Sequence, residues 1–194
     1  MDVAGSGKPG ADILDEGVSG DKGLMTYSKN IVVFGVSGAG KTTVGRRLAE
    51  VLNRTFADAD DFHSPESVQK MSASIPLTDS DRLPWLKSVR DWMNRQNDEG
   101  NGTVVACSAL KRAYRDALRA ASGEVLFVHL SGTSEVIRGR LDGRSGHFMP
   151  STLLASQFEA LEPLTPEENG LKVDVESSVD SIVAAVCDRI QVAG

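Results

Sequence analysis

Between Asn30 and Thr43 the chain reads NIVVFGVSGAGKTT, and Gly35, Gly40, Lys41 and Thr42 fall at the spacing of a phosphate-binding loop, G-x-x-x-x-G-K-[ST]. Glycines let the backbone fold around a phosphate with successive N–H groups pointing inward. The helix that follows adds the positive end of its dipole. Gly35, Val36, Ser37, Gly38, Ala39, Gly40, Lys41, Thr42 and Thr43 are therefore the candidate nucleotide contacts. In such a loop the Lys41 ammonium reaches the β- and γ-phosphates and the Thr42 hydroxyl holds Mg²⁺.

Phosphoryl transfer also needs a metal-supporting acid and an acceptor held in line. An aspartate at the end of a central apolar strand is the usual support, yet TVVACS and VLFVHLS both lack one. The acids fall instead in Asp58-Ala59-Asp60-Asp61-Phe62-His63. Read as the end of a strand, Asp58 and Asp60 share a face, so one can support the metal while the other takes the proton or hydrogen bond of an acceptor hydroxyl. Ser108, just past a central strand, is within reach of a ligand at the crevice where the strand order switches. Only residues 107–150 carry a positive charge balance, which suits an anionic substrate.

The elements that must position these groups alternate. Strands are expected at Ile31–Phe34, Thr55–Ala59, Thr103–Cys107, Val125–Leu130 and Leu171–Val175. Between them the periodicity predicts helices over Gly40–Leu52, with Val44, Leu48, Val51 and Leu52 buried, then after Ser64-Pro65, where the helix carries Lys70, and from Asp79 or Asp81 to Asp98. Further helices are predicted at Lys111–Ala121, Ser134–Leu141 and Ser151–Leu161, and around Val179 to Ile190. Strand-helix alternation means an α/β fold on a mainly parallel sheet. Gly143, Gly146 and Pro150 interrupt regular structure, so about 138–150 reads as a mobile lid. Trp85 and Trp92 belong to the core by their helical spacing, and His129 reads as a satisfied core histidine.

The 194 residues, 40% hydrophobic and 25% charged, suit one globular domain, placed at 28–194. Residues 1–27 are rich in Gly, Asp, Ser and Lys and are expected to lack fixed structure. That segment has neither the arginines of a transit peptide nor an apolar signal core, which leaves a cytoplasmic location. No apolar run suits a membrane span and no broad basic patch suits nucleic acid. Cys107 and Cys187 follow no disulfide or metal spacing and read as reduced thiols.

GVSGAGKTT, DADDFH, IPLTDSDRLPWL, ACSALKRAYRD, GRLDGRSGHFM and SQFEALEP, in that order, resemble the gluconokinase family across about Asn30 to Gln191. The resemblance implies ATP-dependent phosphorylation of D-gluconate at its 6-hydroxyl, with Mg²⁺. It also implies a nucleoside-monophosphate-kinase-like fold, five parallel strands in the order 2-3-1-4-5 with a mobile lid, and a homodimer. Position by position, it makes Asp58 the metal-supporting acid and Asp60 the group nearest the acceptor hydroxyl, and places His63 at the substrate mouth. Lys70, Arg82, Ser108, Lys111, His147 and Gln157 complete the expected acceptor pocket. Arg140 and Arg144 become lid arginines, Arg144 over the transferring phosphoryl group and Arg140 toward the nucleotide. Related shikimate kinases share the P-loop and the Asp-x-Asp but lack DDFH and GHFM. A kinase for another polyol acid such as shikimate is therefore a neighbouring reading. A nucleotide-binding switch is a more distant one, disfavoured because N-K-x-D is absent. A catalytically silent binding protein is disfavoured because no expected group is missing.

Overall fold

The computed structural model describes residues 30–73, 75–142 and 151–192. The elements run β1 (Asn30–Phe34), α1 (Lys41–Leu52), β2 (Thr55–Asp58), a 3-10 turn (Ala59–Phe62), α2 (Pro65–Ser72), α3 (Asp79–Asp98) and β3 (Thr103–Cys107). They continue with α4 (Arg112–Arg119), β4 (Val125–Ser131), α5 (Ser134–Asp142), α6 (Ser151–Ala160), β5 (Gly170–Asp174) and α7 (Val179–Val192). The five strands are parallel in the order β2-β3-β1-β4-β5, as expected.

β1 is buried along its whole length because it pairs with β3 on one side and β4 on the other, and both faces are covered by helices. Its unbroken apolar run is what a doubly covered parallel strand requires. Alternation divides it: Ile31 and Val33 pack with Val44 and Leu48 of α1, Ile137 of α5, Leu154 of α6 and Ile182 and Val186 of α7. Val32 and Phe34 pack on the other face with Trp85, Leu86, Val89 and Met93 of α3 and Leu118 of α4. Parallel pairing brings the carboxyl ends of β1, β2 and β3 to one rim, which places the P-loop, the acidic turn and Ser108 side by side.

Three local expectations are corrected. Val51 is 48% exposed, because the buried arc of α1 is centred on Val44, Gly45, Leu48 and Ala49 and Val51 sits at its edge. β2 stops at Asp58 instead of Ala59: the Asp58 carboxylate accepts the Asp60 N–H at 3.2 Å and turns the chain into the 3-10 segment. Asp58 and Asp60 therefore do not share a strand face. They are brought together by a side-chain cap. His129 is buried as expected, stacked 4.7 Å from the Phe34 ring, but its Nε2 has no hydrogen-bond partner among the described residues.

Among the described residues no helix is long and apolar enough to cross a membrane. Cys107 and Cys187 are both free thiols, Cys107 fully buried with its pKa pushed up to about 12 by desolvation.

Candidate active site

The P-loop bridges β1 and α1, and two of its glycines are required by what they touch. Gly35 has φ +146°, and a side chain there would meet the Leu130 carbonyl at 2.7 Å. Gly38 has φ +84°, and its Cβ would lie 2.7 Å from Leu141 Cγ on α5. The loop is thus wedged between β4 and the last turn of α5. Lys41 Nζ donates to the Val36 carbonyl at 3.0 Å, folding the ammonium over the loop's concavity. Thr43 stands exposed in the first turn of α1.

Thr42 Oγ1 donates to Asp58 Oδ2 at 2.8 Å, so the loop's hydroxyl and the acid after β2 form one pair of hard oxygen donors. Such a pair suits Mg²⁺, which takes one or two protein oxygens and fills its octahedron with water and substrate phosphates. Among the described residues no group of three or more His, Cys, Asp or Glu side chains could hold a metal by itself, consistent with a site that phosphate completes. Asp60 projects into the cleft beside this pair, its side chain 79% exposed. Loss of hydration between the cleft walls and the charge of Asp58 raise its pKa, opposed by Lys41 and His63.

His63 caps the 3-10 turn and stacks on Trp85 with ring centroids 4.3 Å apart. Only 4% of its side chain is exposed, and its Nε2 lies 3.9 Å from Asp60 Oδ1. Desolvation lowers its pKa, so the ring faces Asp60 neutral. Trp85, assigned to the core by spacing, is indeed buried, but it also supports the site: its Nε1–H donates to the Ala59 carbonyl at 2.6 Å and fixes the acidic turn to α3.

The cations of the expected acceptor pocket converge at the start of α3. Thr78 caps this helix in a reciprocal box with Asp81. Lys70 Nζ lies 2.7 Å from Asp81 Oδ1, and this hydrogen bond, followed by those from the Thr78 N–H and hydroxyl, lowers the Asp81 pKa to about 2. Lys111 Nζ bridges both oxygens of Asp79 at 2.9 Å, and the Tyr114 hydroxyl donates to the same carboxylate. Those two bonds lower the Asp79 pKa, Tyr114 first. Arg82 Nε donates to the Leu77 carbonyl at 3.4 Å, with its guanidinium 5.7 Å from the Tyr114 ring. Sequence reasoning named the cations and missed Asp79, Asp81 and Tyr114, which hold them. Thr78-x-x-Asp81 as a helix cap was the available signal.

Ser108 is half-buried, and its carbonyl accepts the Gly35 N–H at 3.4 Å, joining the loop after β3 to the P-loop. Gln157 of α6 is placed against the P-loop: its Oε1 accepts the Ser37 N–H at 2.7 Å, and its Nε2 donates to Ser37 Oγ at 3.2 Å. Arg140 lies beside the loop too, its Nη1 3.9 Å from where a Cβ on Gly40 would stand, while its Nη2 donates to the Val175 carbonyl. An open groove bordered by Ser131, Gly132, Thr133, Lys172 and Asp174 lies past the ends of β4 and β5. Arg144 and His147 lie outside the described residues.

A phosphate cradle, a hydroxyl-carboxylate pair at its mouth and a second acid facing a cation-lined cleft are the parts of a small-molecule kinase. Residues 37–189 match the shikimate kinase family. The chain is 44% identical to a probable gluconokinase of Rattus norvegicus, a match covering 83% of this chain and 97% of that one. It is 43% identical to the gluconokinase of Gluconobacter oxydans, covering 83% and 90%. The chain belongs to the gluconokinase family. The crystal structure of a gluconokinase from Sinorhizobium meliloti superposes with a TM-score of 0.77 at 43% identity, over 86% of this chain and 94% of that one. In this gluconokinase-family chain the DDFH turn sets His63, stacked on Trp85, beside Asp60.

Proposed function

We propose that this protein transfers the γ-phosphoryl group of ATP to the 6-hydroxyl of D-gluconate. The observation that carries the reading is the Thr42–Asp58 contact at 2.8 Å, which joins the P-loop to an acidic turn whose next carboxylate, Asp60, faces the cleft. The P-loop amides and Lys41 hold the triphosphate. Thr42 and Asp58 would hold Mg²⁺, directly or through water, and the ion would supply charge neutralisation for the transferring phosphate. Asp60 aligns the 6-hydroxyl and accepts its hydrogen bond or proton as the oxygen attacks the γ-phosphorus. The bond from that phosphorus to the β–γ bridging oxygen breaks, and ADP and 6-phosphogluconate leave.

His63, Lys70, Arg82, Ser108, Lys111 and His147 are assigned to the acceptor pocket. Because Lys70 and Lys111 are already paired with Asp81 and Asp79, a gluconate carboxylate reaches them by sharing these ammonium groups or exchanging with their partners. Arg140, beside the P-loop, serves the nucleotide end, and Arg144 closes over the phosphates as part of a lid at about 138–150. Gln157 reports on the P-loop through Ser37 and is assigned to the closed pocket on that basis. Residues 28–194 act as one kinase domain, and the protein works as a cytoplasmic homodimer without nucleic-acid or membrane partners.

ADP release in a coupled assay over a panel of sugar acids tests the acceptor. Turnover confined to gluconate is expected, and turnover of shikimate in its place overturns the assignment. Mass measurement in solution by light scattering tests the dimer.

A further inference from the structure

The basic segment expected to serve an anionic substrate is spent largely inside the protein. Arg112 lies 3.6 Å from Glu167, Arg119 lies 3.4 Å from Glu168, and Arg115 meets Glu168 at 2.6 Å with both side chains fully buried. The Arg115–Glu168 pair is bidentate, Nε to Oε1 at 2.6 Å and Nη2 to Oε2 at 3.0 Å. A buried pair of this kind is weak evidence of stability, since desolvation cancels much of its attraction. Its remaining donors explain its position better. Nη1 donates to the carbonyls of Ala109, Leu110 and Glu162 at 3.4, 3.1 and 3.1 Å, and Nη2 donates to Pro163 at 3.2 Å.

Ala109 and Leu110 lie between Ser108 and Lys111, the two acceptor candidates after β3. Ala109 is held at φ +38°, a left-handed conformation that a non-glycine residue adopts under strain. The same carbonyl of Leu110 also accepts the Glu162 N–H at 2.9 Å, and the Glu162 carboxylate accepts the Arg112 N–H. The loop is thus bolted to the segment after α6, and the strained turn aims the Ser108 carbonyl at Gly35.

We infer that Arg115, fixed by Glu168, is a positioning residue that holds Ala109 in its left-handed conformation and thereby sets Ser108 and Lys111 for the acceptor. This rests on the assignment of Ser108 and Lys111 to the gluconate pocket. Weakening the clamp lets Ala109 relax to negative φ and displaces the acceptor groups, while the phosphate cradle keeps the Gln157 bonds to Ser37 and the Lys41 bond to Val36. Glycine at position 109 removes the drive to relax, since it occupies positive φ without cost.

Steady-state kinetics on purified full-length Glu168→Gln, Arg115→Lys, Ala109→Gly and the Glu168→Gln/Ala109→Gly pair test this, with circular dichroism on each. Wild-type turnover of gluconate is measured first, and its absence sinks the functional reading itself. With the wild type active, Glu168→Gln and Arg115→Lys are expected to raise the gluconate KM tenfold or more and leave the ATP KM within twofold. Adding Ala109→Gly is expected to return the gluconate KM to within about threefold of wild type. An unchanged gluconate KM, equal shifts in both KM values, or no rescue by Ala109→Gly overturns the inference. Glu162→Ala, an exposed change at the same junction, covers the case in which the clamp variants fail to fold. It is expected to raise the gluconate KM several-fold, and no rise there overturns the inference as well.

Discussion

Thr42 and Asp58 meet across the mouth of the P-loop, while Asp60 stands free of that contact in the cleft, and the two carboxylates should therefore fail differently when neutralised. Asp60→Asn removes the group proposed to align the acceptor hydroxyl, so kcat should fall by about a hundredfold or more with the ATP KM little changed. Asp58→Asn weakens the support for the metal, so activity should be recovered in part by raising the Mg²⁺ concentration, a rescue that Asp60→Asn should not show. Magnesium titrations of both variants separate the roles, and identical profiles would contradict them. Lys41→Ala should lower kcat by orders of magnitude with the fold intact, read by circular dichroism beside the rate. The identities of these three residues were legible in the sequence because a P-loop and an acidic cluster are local patterns. Their geometry was not: the strand is expected to run to Ala59 with Asp58 and Asp60 on one face, and the Asp58 side chain ends it earlier by capping the Asp60 amide.

At the scale of elements, helix α1 connects the loop to the rest of the sheet, and it lies close over β2 because residue 45 has no side chain. A Cβ at Gly45 would stand 2.7 Å from the Phe56 ring on β2. Gly45→Ala gains helix propensity but forces the ring or the helix to shift, a net loss of about 1 to 2 kcal/mol. In a domain of this size that lowers Tm by several degrees, measurable by calorimetry. Gly38→Ala acts on the same unit from the other end. Its positive φ and the Leu141 side chain leave no room, so the ATP KM should rise while Tm changes less than for Gly45→Ala, because the loop is not a core element. Strand order, helix order and the cap of α2 at Ser64 were readable from periodicity and from Ser-Pro punctuation. The packing of α6 on the P-loop through Gln157 and Ser37 was not, since the two residues are 120 positions apart and no local pattern links them.

Across the whole molecule the charge distribution is legible in the sequence only as segment balances, without partners. The positive balance of 107–150 and the negative balance of the following segment suggested a substrate-facing patch, but α4 and the loop before β5 use much of that charge on each other through Arg112, Arg115, Arg119, Glu167 and Glu168. A titratable base also sits in the core on β4. His129 is 5% exposed on β4 and stacked on Phe34, with Lys172 and Arg115 the charges that act on it. Burial first, then those two cations, lower its pKa from 6.5 to about 4. The unfolded chain therefore binds a proton near pH 6.5 that the folded protein refuses until about pH 4. Stability from this residue is full above pH 6.5 and is lost as pH falls toward 4, by about 3 kcal/mol at most. His63, lowered for the same reason, adds in the same direction, whereas Asp81 keeps its stabilising contribution throughout this interval and loses it only as pH falls from 3.8 toward about 2. Urea unfolding at pH 7 and pH 5 should thus show a loss for the wild type. His129→Phe keeps a ring against Phe34 and cannot titrate, so it should lose less over the same interval, the difference isolating the His129 share. Equal losses in the two proteins would mean that His129 accepts its proton in the folded state.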